Sequence, residues 1–250
     1  MPPQPPPPLT PPGALQAQLD SAGWAVIDAR SLAALCALSL DAAAAWLPIW
    51  PALPPDPHLR DGGRYRRRRH GCFTVAADGA VSPVLHRAHW QPVEYNALHG
   101  GIQRWFEPLP AELVADPAWA ALLAGLAHVA DGLRGRHTWF VEAHPFRIDT
   151  TDGIGRPTPE GAHRDGVDLV AVLIIDRHNV KGGETRVFDA HGPQGVRFTL
   201  VEPFSALLLD DERVIHETTP IQPLDAARPA WRDTLVLTFR RGGFQGPAGA

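Results

Sequence analysis

Apolar residues recur at helical spacing over residues 14–22 and 31–47, and between them Gly23-Trp24-Ala25-Val26-Ile27 predicts a short strand. Helical spacing returns over 111–134, where Pro108 and Pro110 precede the segment, Pro117 marks a second start, and Gly132 and Gly135 fall near its end. From residue 137 the period changes to two, and 137–149 alternates as a strand does. The β-branched run over 167–175 predicts a buried strand. A second run over 206–215 is broken by Asp210-Asp211-Glu212, an acidic turn that would send a new strand back past the first. Leu235-Val236-Leu237-Thr238-Phe239 is a third. Helices dominate the first half and strands the second, and no internal repeat occurs, which predicts one sheet backed by helices.

Two imidazoles and a carboxylate stand at the ends of these strands. His163 and Asp165 follow the turn Pro157-Thr158-Pro159-Glu160-Gly161 and precede the 167–175 run. Residues i and i+2 of a strand share a face, so both can reach one point while Arg164 turns away. His216 ends the 206–215 run and would bring the third group from a distant strand. Two nitrogens and one oxygen on one face of an octahedral ion leave three positions open, enough for a bidentate co-substrate and dioxygen. That points to a non-haem iron(II) site and to oxidation rather than hydrolysis. Arg232 and Thr234, again i and i+2, offer a guanidinium and a hydroxyl on one face, suited to the distal carboxylate of 2-oxoglutarate. Arg228 and Arg240 are the reserve cations.

Other residues bear on the substrate. Glu160, in the turn before His163, is placed to take an α-ammonium group if the substrate is a free amino acid, and is otherwise an exposed turn residue. Arg147 either faces inward toward a carboxylate or makes a structural salt bridge. The run Arg64-Tyr65-Arg66-Arg67-Arg68-Arg69-His70 leads into Cys72-Phe73-Thr74-Val75, a predicted strand. Alternate arginines then either point inward to anchor substrate or co-substrate, or form a solvated edge. Trp46-Leu47-Pro48-Ile49-Trp50-Pro51 matches no chemical role.

Four motifs in combination resemble a known family. They are Pro159-Glu160-Gly161-x-His163-Arg164-Asp165-Gly166, Arg177-His178-Asn179-x-x-Gly182-Gly183-Glu184, Asp210-Asp211-x-Arg213-Val214-x-His216-x-x-x-Pro220-Ile221 and Arg232-Asp233-x-Leu235-Val236. Together they resemble the bacterial iron(II)/2-oxoglutarate-dependent dioxygenases that include the free L-isoleucine hydroxylase and related stress- and biofilm-linked proteins. The resemblance covers residues 140–242, with Tyr95-Asn96-x-x-x-Gly100-Gly101 and His144-x-Phe146-Arg147-Ile148 as less specific matches. It implies a mainly β fold, the double-stranded β-helix or cupin-like jelly roll, with helices packed on one side. It also implies Fe(II) on His163, Asp165 and His216, and 2-oxoglutarate on Arg232 and Thr234. The implied reaction hydroxylates an aliphatic C–H, most readily of a free L-amino acid, with release of succinate and CO2. Two other readings stay open at this point, a hydroxylase of protein side chains and a non-oxidising cupin-like binding module.

Composition narrows the setting. The chain has 250 residues and a net charge of −4, which argues against nucleic acid as the main partner. Residues 1–13 are read as a disordered Pro-rich leader and 14–250 as a single dioxygenase domain. Two cysteines are no disulfide framework, and Cys36 reads as a buried thiol. No targeting segment and no stretch of eighteen apolar residues is visible, so a cytoplasmic protein without a membrane partner is expected.

Overall fold

A computed structural model describes residues 5–247. Its main sheet is antiparallel and eight-stranded. Along it run β1 (Trp24–Ile27), β10 (Ala206–Asp210), β6 (Leu169–His178), β13 (Trp231–Arg241), β5 (Trp139–Asp149), β3 (Gly71–Val75) and β4 (Val81–Pro83), with β2 (Arg66–Arg68) also paired to β5. A smaller sheet holds β11 (Val214–Thr218), β8 (Thr185–Asp189) and β9 (Gly195–Phe198), and β12 (Ile221–Pro223) pairs with β7 (Val180–Gly182).

The alternation within β6 explains both layers of core. Leu169, Ala171, Leu173 and Ile175 turn to the helical side, where they join Leu19, Leu32, Trp119 and Leu122. Val170 and Ile174 turn the other way and meet Val187, Phe198 and Val214 of the smaller sheet. A strand buried on both faces reads as an unbroken apolar run, which is why β6 and β10 stand out in the sequence. The result is the expected jelly roll backed by helices α1 (Leu15–Ala22), α2 (Ala29–Leu35), α3 (Leu40–Ala44), α4 (Ala111–Val114) and α5 (Pro117–Arg134).

Several expectations shift. The helix read over 31–47 is two short helices, α2 and α3. Ala37 takes a φ of 48°, and the Ser39 hydroxyl caps α3 by accepting from the Ala42 amide. The acidic turn after β10 does not make a hairpin, because β10 pairs with β1 and β6 whereas β11 pairs with β8 in the other sheet. Part of the Pro-rich leader is ordered. Leu9 bridges Val26 in parallel and the Thr10 amide donates to the Val26 carbonyl, so this extended segment covers the free edge of β1; residues 1–4 lie outside the described residues. Trp46 and Trp50 are core residues. The Trp50 indole N–H donates to the Thr234 carbonyl at 3.1 Å, beside the bulge where β13 slips against β6. Cys36 and Cys72 are both free and buried. Among the described residues no single helix is long and apolar enough to cross a membrane.

Gly125 is where α5 crosses the end of α2. A Cβ there would lie 2.5 Å from the Cα of Cys36, closer than backbone can be approached. Gly125→Ala is therefore expected to cost about 1–3 kcal/mol through overpacking. Thermal unfolding should show a lower midpoint, and an unchanged midpoint would contradict this packing.

Candidate functional site

One cavity opens between the main sheet and the loops at residues 87–104 and 157–165. Its walls follow strand parity. Arg232, Thr234, Val236 and Thr238 of β13 face it, as do Glu142, His144, Phe146 and Ile148 of β5. The arginines of β2 obey the same rule: Arg66 and Arg68 sit opposite Ile148 and Phe146 and point in, while Arg67 points away.

His163 and His216 exchange both backbone hydrogen bonds, at 3.0 and 2.9 Å, in an isolated antiparallel bridge. Residues 164 and 165 are not strand, so Asp165 reaches the pair from a loop. That loop is shaped by Asp211, whose buried carboxylate accepts from the amides of Asp165 at 3.0 Å, Gly166 at 2.7 Å and Val167 at 3.1 Å. The outcome is a trio whose donor atoms lie within 4.8 Å of one another. His163 Nδ1 lies 2.9 Å from the Gly161 carbonyl, so it carries the proton and leaves the lone pair on Nε2, 3.8 Å from Asp165. His216 Nε2 is 3.4 Å from the same carboxylate. Burial would raise the Asp165 pKa, yet the contacts with His216 and His163 hold it at about 2. Gln91 donates to the other Asp165 oxygen at 3.0 Å and is itself held by Arg104 at 2.8 Å.

Arg232 is fully buried at the far side of this cavity. Its Nε finds no acceptor, and desolvation with the nearby Arg177 charge lowers its pKa to about 9, which leaves it charged at neutral pH. Asp233 cannot neutralise it, because that carboxylate is bound in fork geometry by Arg147 at 2.8 and 2.6 Å.

This geometry has relatives. Residues 47–238 match the family described as 2OG-Fe dioxygenase. The chain belongs to the 2OG-Fe dioxygenase family. A solved BsmA homologue from Methylobium petroleophilum PM1 is 57% identical, covering 96% of this chain and 97% of that one, with a TM-score of 0.90. The 3(1)-hydroxy-L-isoleucine 4-dioxygenase of Pantoea ananatis (strain AJ13355) is 24% identical over 158 residues. That match spans 60% of this chain and 63% of the relative, less than two thirds of its length. The structure of IDO from Bacillus thuringiensis aligns over 94% of this chain and 97% of that one with a TM-score of 0.72, and at 15% identity shows likeness of fold alone. Fe(II) and 2-oxoglutarate are the metal and co-substrate of the family. The residues present fit both groups: a free imidazole lone pair beside an ionised carboxylate suits the metal, and a buried guanidinium with an unspent Nε suits a carboxylate.

The other expected site residues fall in different places. Thr234 and Glu160 line the cavity, and Glu160 Oε1 lies 3.6 Å from His163 Nε2. Arg147 requires correction as a substrate contact, because its parity on β5 is opposite to Phe146 and Ile148. It lies outside the cavity, bound to Asp233 and set over the Trp231 ring. Of the reserve cations, Arg228 is exposed and Arg240 donates to the Gly243 carbonyl.

Sequence reasoning missed a second cluster, His70, His89, Glu142 and His144, buried at the base of the cavity. Its ligand atoms are close enough to share an ion, but the proton positions oppose one. Arg68 Nη2 donates to His144 Nδ1 at 2.6 Å, so the His144 proton sits on Nε2, facing Glu142. His89 Nδ1 at 3.0 Å and His70 Nε2 at 3.3 Å also face that carboxylate, while His70 Nδ1 is buried without a partner, cheap for a lone pair and costly for an N–H. Three imidazoles thus gather around one buried carboxylate. Desolvation pushes His89 down to about 4 and His144 well below its usual range.

Acid sensitivity follows. An unfolded histidine titrates at about 6.5, so as pH falls from there toward 4 unfolding takes up a proton at His89, and the burial of His144 acts in the same direction. Stability is full above that window and should fall as pH drops through it. Urea unfolding of chelator-treated protein at about pH 7 and about pH 5 checks this. Equal midpoints would mean the two rings are protonated in the fold.

Proposed function

We propose that the protein is an Fe(II)/2-oxoglutarate-dependent dioxygenase that hydroxylates an aliphatic C–H bond of a free L-amino acid, releasing succinate and CO2. The observation that carries this reading is the sharing of one cavity by the His163, Asp165 and His216 donors and by Arg232, a buried cation that forms no ion pair among the described residues. In this reading His163 Nε2, His216 Nε2 and the Asp165 carboxylate hold the iron, and Arg232 with the Thr234 hydroxyl holds the distal carboxylate of 2-oxoglutarate. Bound there, metal and co-substrate supply dioxygen activation and C–H oxidation, which no side chain can provide.

The remaining work belongs to the chain. The Gly161 carbonyl fixes the His163 tautomer, Gln91 orients Asp165, and Val172 and Val236 give the cavity an apolar wall. Burial of Arg232 strengthens its pairing with a dicarboxylate. The name of the Pantoea ananatis relative supports a free amino acid over a protein side chain.

Succinate release tests the reading, with aliphatic L-amino acids supplied beside Fe(II), 2-oxoglutarate and dioxygen. Arg232→Met is expected to raise the 2-oxoglutarate KM by on the order of 100-fold, with partial recovery in Arg232→Lys. A KM unchanged in Arg232→Met would remove Arg232 from the co-substrate site, whereas wild type that binds Fe(II) and releases no succinate with any of these amino acids would favour a non-oxidising barrel.

A further inference from the structure

The cavity contains more buried positive charge than 2-oxoglutarate can use. Arg68 and Arg104 also face it, are also buried, and form no ion pair among the described residues. Arg68 is held between the rings of Phe106 and Phe146, with its guanidinium carbon 3.9 and 4.4 Å from their centroids. One of its nitrogens is spent on His144, and one nitrogen of Arg104 is spent on Gln91. The Nε of each is buried with no acceptor. Arg66, the third guanidinium here, is already neutralised by Asp56 at 2.7 Å. Glu142 is taken up by His70 and His89.

An unspent negative group stands in the same cavity. Glu160 Oε2 is buried without a hydrogen-bond partner, and its carboxylate is near enough to Arg104 to act on that charge. Two rigid cations with idle donors and one carboxylate with an idle oxygen have the complementary charges of a zwitterion. Buried polar atoms are rarely left unpaired without a ligand to pair them.

Resting on the dioxygenase reading above, we propose that Arg68 and Arg104 receive the α-carboxylate of the organic substrate and that Glu160 receives its ammonium group. The protein then selects free α-amino acids by their charged end, whatever the side chain presented to the metal. Arg232 is left for 2-oxoglutarate alone, so the two carboxylate-bearing molecules are sorted by two separate cationic poles.

Anaerobic calorimetry on protein loaded with Mn(II) and 2-oxoglutarate tests this without turnover. The probes are L-valine, L-leucine and L-isoleucine, then for each binder its decarboxylated amine and its deaminated acid. At least one amino acid should bind the wild type, and both of its truncated analogues should bind at least roughly 10-fold more weakly. Arg68→Met should weaken the amino acid by about 10- to 100-fold and leave the amine unaffected, with partial recovery in Arg68→Lys. Glu160→Gln should weaken the amino acid and leave the acid unaffected. Throughout, the affinity for 2-oxoglutarate should stay within about 3-fold of wild type, which also reports that each variant is folded. Normal 2-oxoglutarate binding with no amino acid bound, an amine as tight as its amino acid, or an Arg68→Met variant that loses 2-oxoglutarate instead would each overturn the proposal. Failure of 2-oxoglutarate to bind the wild type would strike the dioxygenase reading itself, and the two failures are thereby told apart.

Discussion

The Asp165→Ala variant is expected to release no succinate above background, a loss on the order of a thousandfold or more. Asp165 is the carboxylate of the trio, and with its pKa at about 2 it is ionised at any working pH. Its removal leaves two imidazoles facing the cavity and strands the Gln91 amide that donated to it. Asp165→Asn keeps the shape and loses the charge, so it should retain less iron than wild type but more than the alanine variant. Iron content by mass spectrometry and succinate release measured together check both. Full activity in Asp165→Ala would point to Glu160, 3.6 Å from His163 Nε2, as the carboxylate that matters.

Asp211→Ala should be the most destabilising single change near the site. The Asp211 carboxylate accepts three backbone N–H groups, is fully buried, and has its pKa raised by that burial and by Asp165. Alanine would leave those three part-buried donors without their acceptor. At roughly 1–3 kcal/mol for each unsatisfied group, partly relieved by relaxation, the expected cost is about 3–5 kcal/mol. The same change frees the loop that carries Asp165, so iron affinity should fall with stability. Urea unfolding and iron titration of the variant provide the check; a cost below about 1 kcal/mol would show that the loop holds its shape by other means.

What the sequence revealed and what it hid have physical causes. The strands buried on both faces, β6 and β10, announce themselves because nothing polar interrupts them. The side of a half-buried strand is harder to read. Arg147 and Phe146 alternate, and choosing which faces the cavity needs one fixed point that local pattern does not contain. The same ambiguity left the arginines of β2 open until their register against β5 placed Arg66 and Arg68 inward. The spacing of His163 and Asp165 was legible as a pair, although a loop braced by Asp211, not a strand, brings them together. Asp211 itself read as part of an acidic turn, since an aspartate accepting backbone amides looks the same in sequence as one facing water. Gln91, Arg104 and the cluster around Glu142 come from segments far apart in the chain, joined only by tertiary packing, so no local spacing could have announced them.

The most direct test of the central claim is anaerobic titration of the metal-free protein with Fe(II) and 2-oxoglutarate, followed by visible absorption. Wild type should develop the metal-to-ligand charge-transfer band of an iron-bound 2-oxo acid, His216→Ala should not, and Arg232→Met should need far more 2-oxoglutarate to reach it. Iron bound to wild type with no band at saturating 2-oxoglutarate would contradict the account.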